Sequence, residues 1–333
     1  MRTILYPPTT PWAWMRQRPH HLLARAARSG YRVVWVDEHP VPNAPGVAEV
    51  EPNLLVVNDA AVLPRLLDGD AATYISSPVS LAQLPGLGRF SKRLVFDYID
   101  RFAAWEPHVD HALATADVVL ASSRDLWERA AAVRNDALLV PNGVEYERFA
   151  GEEPEPFDLA LIPNPIALYM GAIADWIDTG LLLELAQALP EVSVVTVGPH
   201  LGAGLIRHFP WPSNFYCLGH RPYQEVAGYL QAASVLLLPF GSNEVSRATN
   251  PCKMWEYMAT GKPIVATPME EALPHAEAGL LEVASTHAEF IARVQDALGG
   301  AGDPDARRAV ARGNDWDARW AQIQARLEEV WPA

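Results

Sequence analysis

Short apolar runs, spaced between helical stretches and showing no polar alternation, restrict the choice of fold more than any other feature of this chain. TILY (3–6), YRVVWVD (31–37), LLVV (54–57), TYIS (73–76), RLVFDY (93–98) and DVVLAS (117–122) form the first series. A strand without a polar face has to be covered on both sides, and a parallel sheet flanked by helices does this. The intervening HHLLARAAR reads as a helix over Pro19–Ser29 that stops at Gly30.

GEEPEPFD (151–158) interrupts the alternation, and its prolines and acids read as a solvated linker. A second series follows: ALYMG (167–171), a helix GLLLELAQAL (180–189), VSVVTVG (192–198), NFYCLG (214–219), a helix YQEVAGYLQAA (223–233) and SVLLLPF (234–240). NPCKMWEYMATGKPIVATP (250–268) then supplies a helix and a short strand. A terminal helix over 315–331 carries one apolar stripe, Trp316, Trp320, Ile323 and Leu327. With 333 residues, 50% of them hydrophobic, the chain can fill two cores. The expected class is α/β, with two doubly wound Rossmann-like domains facing across a cleft. Ligands in such folds bind outside the carboxyl ends of strands.

Charge narrows the function. A formal net charge of -14 argues against binding nucleic acid or an anionic membrane through bulk charge. Cys217 and Cys252 are the only cysteines, so no disulfide framework and no CxxC metal site is available. The N-terminal apolar run is too short for a signal peptide, and no run of about 18 apolar residues suggests a membrane span. These features fit a cytoplasmic protein with at most peripheral contact at the inner face of the membrane.

The 250–268 stretch carries the chemistry. Asn250 reads as an N-cap and Pro251 as the first helical residue. The free N–H groups of such a helix start favour a bound anion, and Lys253 adds a full positive charge. Glu256, three residues on, shares the face. The pair reads in two ways. One is a surface salt bridge. The other is a cation for phosphate beside a carboxylate for ribose hydroxyls, as a nucleotide-sugar site requires.

The same stretch resembles the P-x-K-x-x-E-Y-x-A-x-G-K-P-V-V segment of GT-B glycosyltransferases of the GT4-like group. LLVPNGVEYERF (138–149) is similar to that group's IPNGVD-x-x-x-F segment, and FYCLGHRPYQEVAGYLQAASVLLLPF to its F-L-G…Y-L-x-x-A-D-V-x-L-x-P run. LYMGAIADWIDTGLLLELAQALPEVSVVTVGP resembles the first strand-helix-strand of the donor domain. PWAWMRQRPHHLLARAARSGYRVVWVD and VFDYID resemble a teichuronic-acid-type subset acting on bacterial surface polysaccharide. The resemblance implies an acceptor-side domain over 1–152, completed by 313–333, and a donor domain over 153–312. It implies a nucleotide-diphosphate sugar donor, a sugar or lipid-linked acceptor and no required metal. Glu256 would bind ribose, Gly171 would approach the diphosphate, and Gly219, His220 and Arg221 would lie near the base.

The chain also departs from that pattern. The first Glu of the group's E-x7-E is replaced by Ala248, with Glu244 out of register. The turn after Gly171 reads AIADWID, without the group's basic pair. Lys253 and then Arg247 are the cations left for the diphosphate. Where retaining members usually have a His, VFDYID offers Asp97 and Asp100. Either suits a general base for an acceptor hydroxyl, Asp97 first; equally, one caps a helix and the other pairs with Arg101. In PPTTPWAWMRQRPHHL, Trp12 and Trp14 read as a stacking surface for a sugar and Arg16 or Arg18 as a phosphate contact. The plainer reading is packed tryptophans and partly solvated His20 and His21. His108 and His111 stand at helical spacing, but two ligands do not make a metal site. A nucleotide-sugar epimerase and a catalytically inactive sugar-nucleotide-binding subunit are the alternative functions.

Overall fold

The computed structural model describes residues 1–37, 44–67, 69–80, 91–202, 205, 209–300 and 302–332. The chain divides into two compact units. The first comprises Met1–Asn142, Ala248–Asn250 and Trp316–Ala333; the second comprises Gly143–Arg247 and Pro251–Asp315. The first change of unit therefore falls at Asn142 and not at residue 152. The reason is packing: Tyr146 and Phe149, on the short helix Tyr146–Ala150, are buried in the second unit's core.

The first unit is built on an eight-stranded sheet. Its strands are β1 (Thr3–Tyr6), β2 (Arg32–Val36), β3 (Val47–Glu51), β4 (Leu54–Val57), β5 (Ala71–Ile75), β6 (Ser91–Tyr98), β7 (Val118–Ala121) and β8 (Leu138–Leu139). The order is β3-β4-β2-β1-β5-β6-β7-β8, parallel except where β3 runs antiparallel to β4 at the edge. The helix Arg18–Arg28 follows β1, and the terminal helix Trp316–Val330 packs beside it. Trp316, Trp320, Ile323 and Leu327 are all buried there, and Arg25 Nε pairs with Asp317 at 2.7 Å. His20 and His21 are buried, not partly solvated. Burial holds the His20 ring neutral, with its pKa lowered to about 3. Its Nδ1 accepts from Gln17 N–H at 3.2 Å and its Nε2–H donates to the Pro11 carbonyl at 3.3 Å. His21 stacks on Trp316, ring centroids 4.9 Å apart.

Among its described residues the second unit has six parallel strands: β9 (Ile166–Met170), β10 (Ser193–Val197), β11 (Phe215–Gly219), β12 (Val235–Leu238), β13 (Ile264–Ala266) and β14 (Glu282–Val283). The order β11-β10-β9-β12-β13-β14 reverses direction of growth between β9 and β12. Such a switch point opens a crevice at the carboxyl ends of its two strands. The 151–158 segment, read as a solvated linker, is more ordered than that. Within 151–158, Glu153 N–H donates to Gln231 Oε1 at 2.9 Å, and Phe157–Ala160 forms a helical turn. Glu152, Glu153 and Glu155 are solvated while the backbone is strapped to the helix Val226–Ala232. Within 241–249, Glu244–Ala248 is a short helix with Ser246 and Ala248 buried.

Candidate functional site

The switch point of the second unit is floored by backbone. Gly171 follows β9, Gly198 follows β10 and Gly219 ends β11, and all three have positive φ (141°, 150° and 73°). The Gly171 N–H donates to the Val197 carbonyl at 2.8 Å, and the Gly198 N–H to the Gly219 carbonyl at 2.9 Å. A Cβ on Gly198 would sit 2.0 Å from the Gly171 carbonyl oxygen. Glycine is therefore the residue this ridge requires. Gly198 was missed in the sequence, although VSVVTVG ends on glycine just as ALYMG does.

The helix Cys252–Thr260 brings side chains to this floor. Lys253 lies directly over Gly171: a Cβ there would be 1.8 Å from Lys253 Cε and 2.7 Å from Nζ. Tyr257, one turn on, fixes the end of β9 by accepting from Met170 N–H at 2.9 Å through its hydroxyl. Glu256 is 9% exposed, and among the described residues no hydrogen bond or ion pair reaches its carboxylate. Lys253 and Glu256 do not form a salt bridge, so the surface-pair reading fails. Burial raises the Glu256 pKa to about 7; Lys253 works against this and the carboxylate of Glu145 adds to it. Glu145 belongs to a side-chain cluster that the sequence reading did not single out. Arg148 Nε pairs with it at 3.1 Å, and the Arg148 guanidinium lies 5.2 Å from the Tyr223 ring centroid.

A buried carboxylate without donors is a costly arrangement until a ligand supplies them. Two neighbouring hydroxyls would satisfy it. The Lys253 ammonium, the uncapped first turn of its helix and the glycine backbone suit an anion alongside.

Other expected residues are placed differently. Asn250 is not the N-cap; Pro251 is, and no described side chain caps the helix. Asn250 belongs to the first unit, 2% exposed, where its Oδ1 accepts from Asn142 N–H at 3.1 Å. Arg221, expected near the base, follows β11 and is engaged in an ion pair. Its Nη2 pairs with Asp158 Oδ2 at 2.6 Å and its Nε donates to Tyr229 Oη at 2.8 Å. Arg247 is exposed on the Glu244–Ala248 helix.

In the first unit Asp97 is fully buried near the carboxyl end of β6. Arg18 Nε donates to both its oxygens, at 3.0 and 2.8 Å, and Tyr74 Oη donates to Oδ2 at 2.6 Å. Arg18, 3% exposed, also donates through Nη1 to Asn142 Oδ1 at 3.1 Å. Asp97 is thus the anion of a buried network, not an open base, and Arg18 is its counter-ion, not an exposed phosphate contact. Asp100 is half-buried in the loop after β6. Trp12 packs edge-on to Trp35 at 5.2 Å, with the Arg16 guanidinium 4.6 Å from its ring centroid. Trp14 is 39% exposed in the same loop.

Residues 164–299 match the family model described as Glycosyl transferases group 1. The match lies within the second unit, Ala248–Asn250 apart, and covers less than half of the chain, whose fold is GT-B. A Bacillus subtilis protein assigned to teichuronic acid biosynthesis, the glycosyltransferase TuaH, is 27% identical over 222 residues, which is 62% of this chain and 56% of that protein. The match thus spans little more than half of that relative's length. Among solved structures, sucrose-phosphate synthase from Thermosynechococcus elongatus superposes with a TM-score of 0.73 at 17% identity, covering 99% of both chains. The Anabaena protein HepE, solved with UDP and glucose, gives a TM-score of 0.70 at 15% identity over 99% of this chain and 100% of its own. At these identities the likeness establishes the fold. No helix among the described residues is long and apolar enough to cross a membrane.

Proposed function

We propose that the chain is a glycosyltransferase that moves a sugar from a nucleoside-diphosphate sugar to a hydroxyl acceptor in bacterial surface-polysaccharide or glycoconjugate synthesis. The observation that carries this reading is the pairing at the β9/β12 switch point. Glu256 is a buried carboxylate with no described partner, and Lys253, on the same helix, is laid over Gly171. Glu256 would accept the two ribose hydroxyls, and the diphosphate would rest on the glycine ridge. The developing charge on the leaving diphosphate falls to Lys253 and the N-terminal N–H groups of the helix, so the reading calls for no resident metal. The acceptor hydroxyl loses its proton as it attacks the anomeric carbon. With Asp97 committed to Arg18, Asp100 is the carboxylate on β6's outgoing loop that we assign to that proton. The relative from Bacillus subtilis supports the polysaccharide assignment. A cytoplasmic setting with at most peripheral membrane contact, and a sugar or lipid-linked acceptor, belong to the same proposal.

The test is a thermal-shift panel of UDP, GDP, dTDP and their sugars on wild type, Lys253→Ala and Glu256→Ala. A ligand that binds only the folded state raises the melting temperature. One nucleotide that stabilises wild type and neither variant supports the donor site and fixes the base. No shift with any nucleotide at millimolar concentration would overturn it. Binding without turnover on any acceptor would instead favour a subunit that binds sugar nucleotides without catalysis.

A further inference from the structure

We propose that His287 is a positioning residue whose imidazolium form latches the loop from Gly171 to Asp178 in place beside the donor site. His287 begins the helix His287–Leu298, which packs against Thr179–Ala188. Its Nε2 lies 2.9 Å from Asp178 Oδ2 and its Nδ1 lies 2.8 Å from Glu184 Oε2. A neutral imidazole has one N–H, and ionised carboxylates only accept. Both contacts are made together only when the ring carries two protons. The contacts to Glu184 and Asp178 correspondingly raise the His287 pKa above its ordinary 6.5, against a smaller loss from burial.

Asp178 is the point at which the loop is anchored. Its Oδ1 caps the helix by accepting from Leu181 N–H at 2.9 Å, and its own N–H donates to the Pro239 carbonyl at 2.8 Å. Further along the loop, Gly241 N–H donates to the Trp176 carbonyl at 2.8 Å, and Ile173 N–H to the Pro199 carbonyl at 2.9 Å. The loop is therefore tied to the outgoing ends of β12 and β10, and its first residue, Gly171, lies under Lys253. Deprotonating His287 removes one of its two bonds and leaves Asp178 and Glu184 as uncompensated like charges. The strands packed on the His287 helix, β12 (VLLL) and β13 (IVA), present no titratable group. On its own helix, Glu289 is occupied by the Ser285 N–H. Because the folded pKa is raised, the latch is fully present below about 6.5 and is lost as pH rises through the raised value.

The role beside a donor rests on the proposed function; the latch itself does not, and the test separates them. In the full chain, the ¹⁵N imidazole resonances of His287 should titrate above 6.5, and Asp178→Asn should lower that midpoint. Amide exchange in 171–178, corrected for intrinsic rate, should speed up through the same midpoint in wild type and not in His287→Arg, which keeps its charge. A midpoint at or below 6.5, or exchange that ignores it, overturns the latch. UDP affinity is then compared between wild type and His287→Arg across pH, which cancels the titration of Glu256. The ratio should favour the Arg variant increasingly above the midpoint, by about tenfold for each unit of pKa difference between latched and open loop. A ratio that stays flat overturns the positioning role. If UDP binds neither protein at any pH, the donor reading fails, and the resonance and exchange data still decide the latch.

Discussion

Replacing Glu256 by Gln keeps the shape of the side chain and removes its charge, so the variant isolates what the buried carboxylate costs. The ordinary value is 4.5 and the folded value about 7. A raised carboxyl holds its proton longer in the folded state than in the unfolded one. Stability of the second unit therefore falls as pH rises from about 4.5 to about 7, and levels off above. At 1.36 kcal/mol per pKa unit, the 2.5-unit gap amounts to about 3 kcal/mol. Glu256→Gln lacks this titration. Its stability relative to wild type should thus increase by about 3 kcal/mol between pH 4 and pH 8, while its affinity for nucleotide falls. A chain with two units need not unfold in one step. The assay is accordingly hydrogen exchange in peptides from Cys252–Thr260 at a series of pH values. Wild type and variant that stay parallel from pH 4 to 8 would refute the reasoning, because they would show that Glu256 ionises at its ordinary pKa.

Four further outcomes are expected. Gly198→Ala should destabilise the second unit by roughly 3 kcal/mol or more and abolish nucleotide binding, because its Cβ meets the Gly171 carbonyl. Gly219→Ala, with nothing within 4 Å, should cost only about 1 kcal/mol for its positive φ; equal losses of melting temperature in the two variants would contradict this. Asp97→Asn should destabilise the first unit by about 3–5 kcal/mol by leaving Arg18 buried without its counter-ion; a fully stable variant with turnover lost would return Asp97 to the role of base. Arg221→Ala should leave nucleotide affinity within about twofold and cost under about 1 kcal/mol, because its partner Asp158 is partly exposed; a large loss of affinity in titration calorimetry would place Arg221 in the donor site.

What could be read in advance divides along physical lines. Strands buried on both faces announce themselves as apolar runs, so β1, β2, β9, β10 and β12 were legible as runs. The edge strand β3, VAEVE, is half exposed and its sequence lacks that signature. Composition reports where side chains are solvated and not where a backbone is tethered, which is why the acidic 151–158 segment read as a solvated linker with no sign that Gln231 holds it. Helical spacing put Lys253 and Glu256 on one face but could not say whether they point at each other. Lys253 turns instead to Gly171, far away in the chain, and leaves Glu256 without a described partner. Cations were judged by type and place, yet Arg18 and Arg221 are committed to Asp97 and Asp158, 79 and 63 residues away. Such pairs are formed only when the sheets assemble. The chemistry of this chain is therefore set as much by which charges the fold leaves uncommitted as by which charges the sequence supplies. By that measure Lys253 and Glu256 are the charges of the second unit on which the proposed donor site rests, while Asp97, the stronger candidate on sequence, is held by Arg18 and Tyr74.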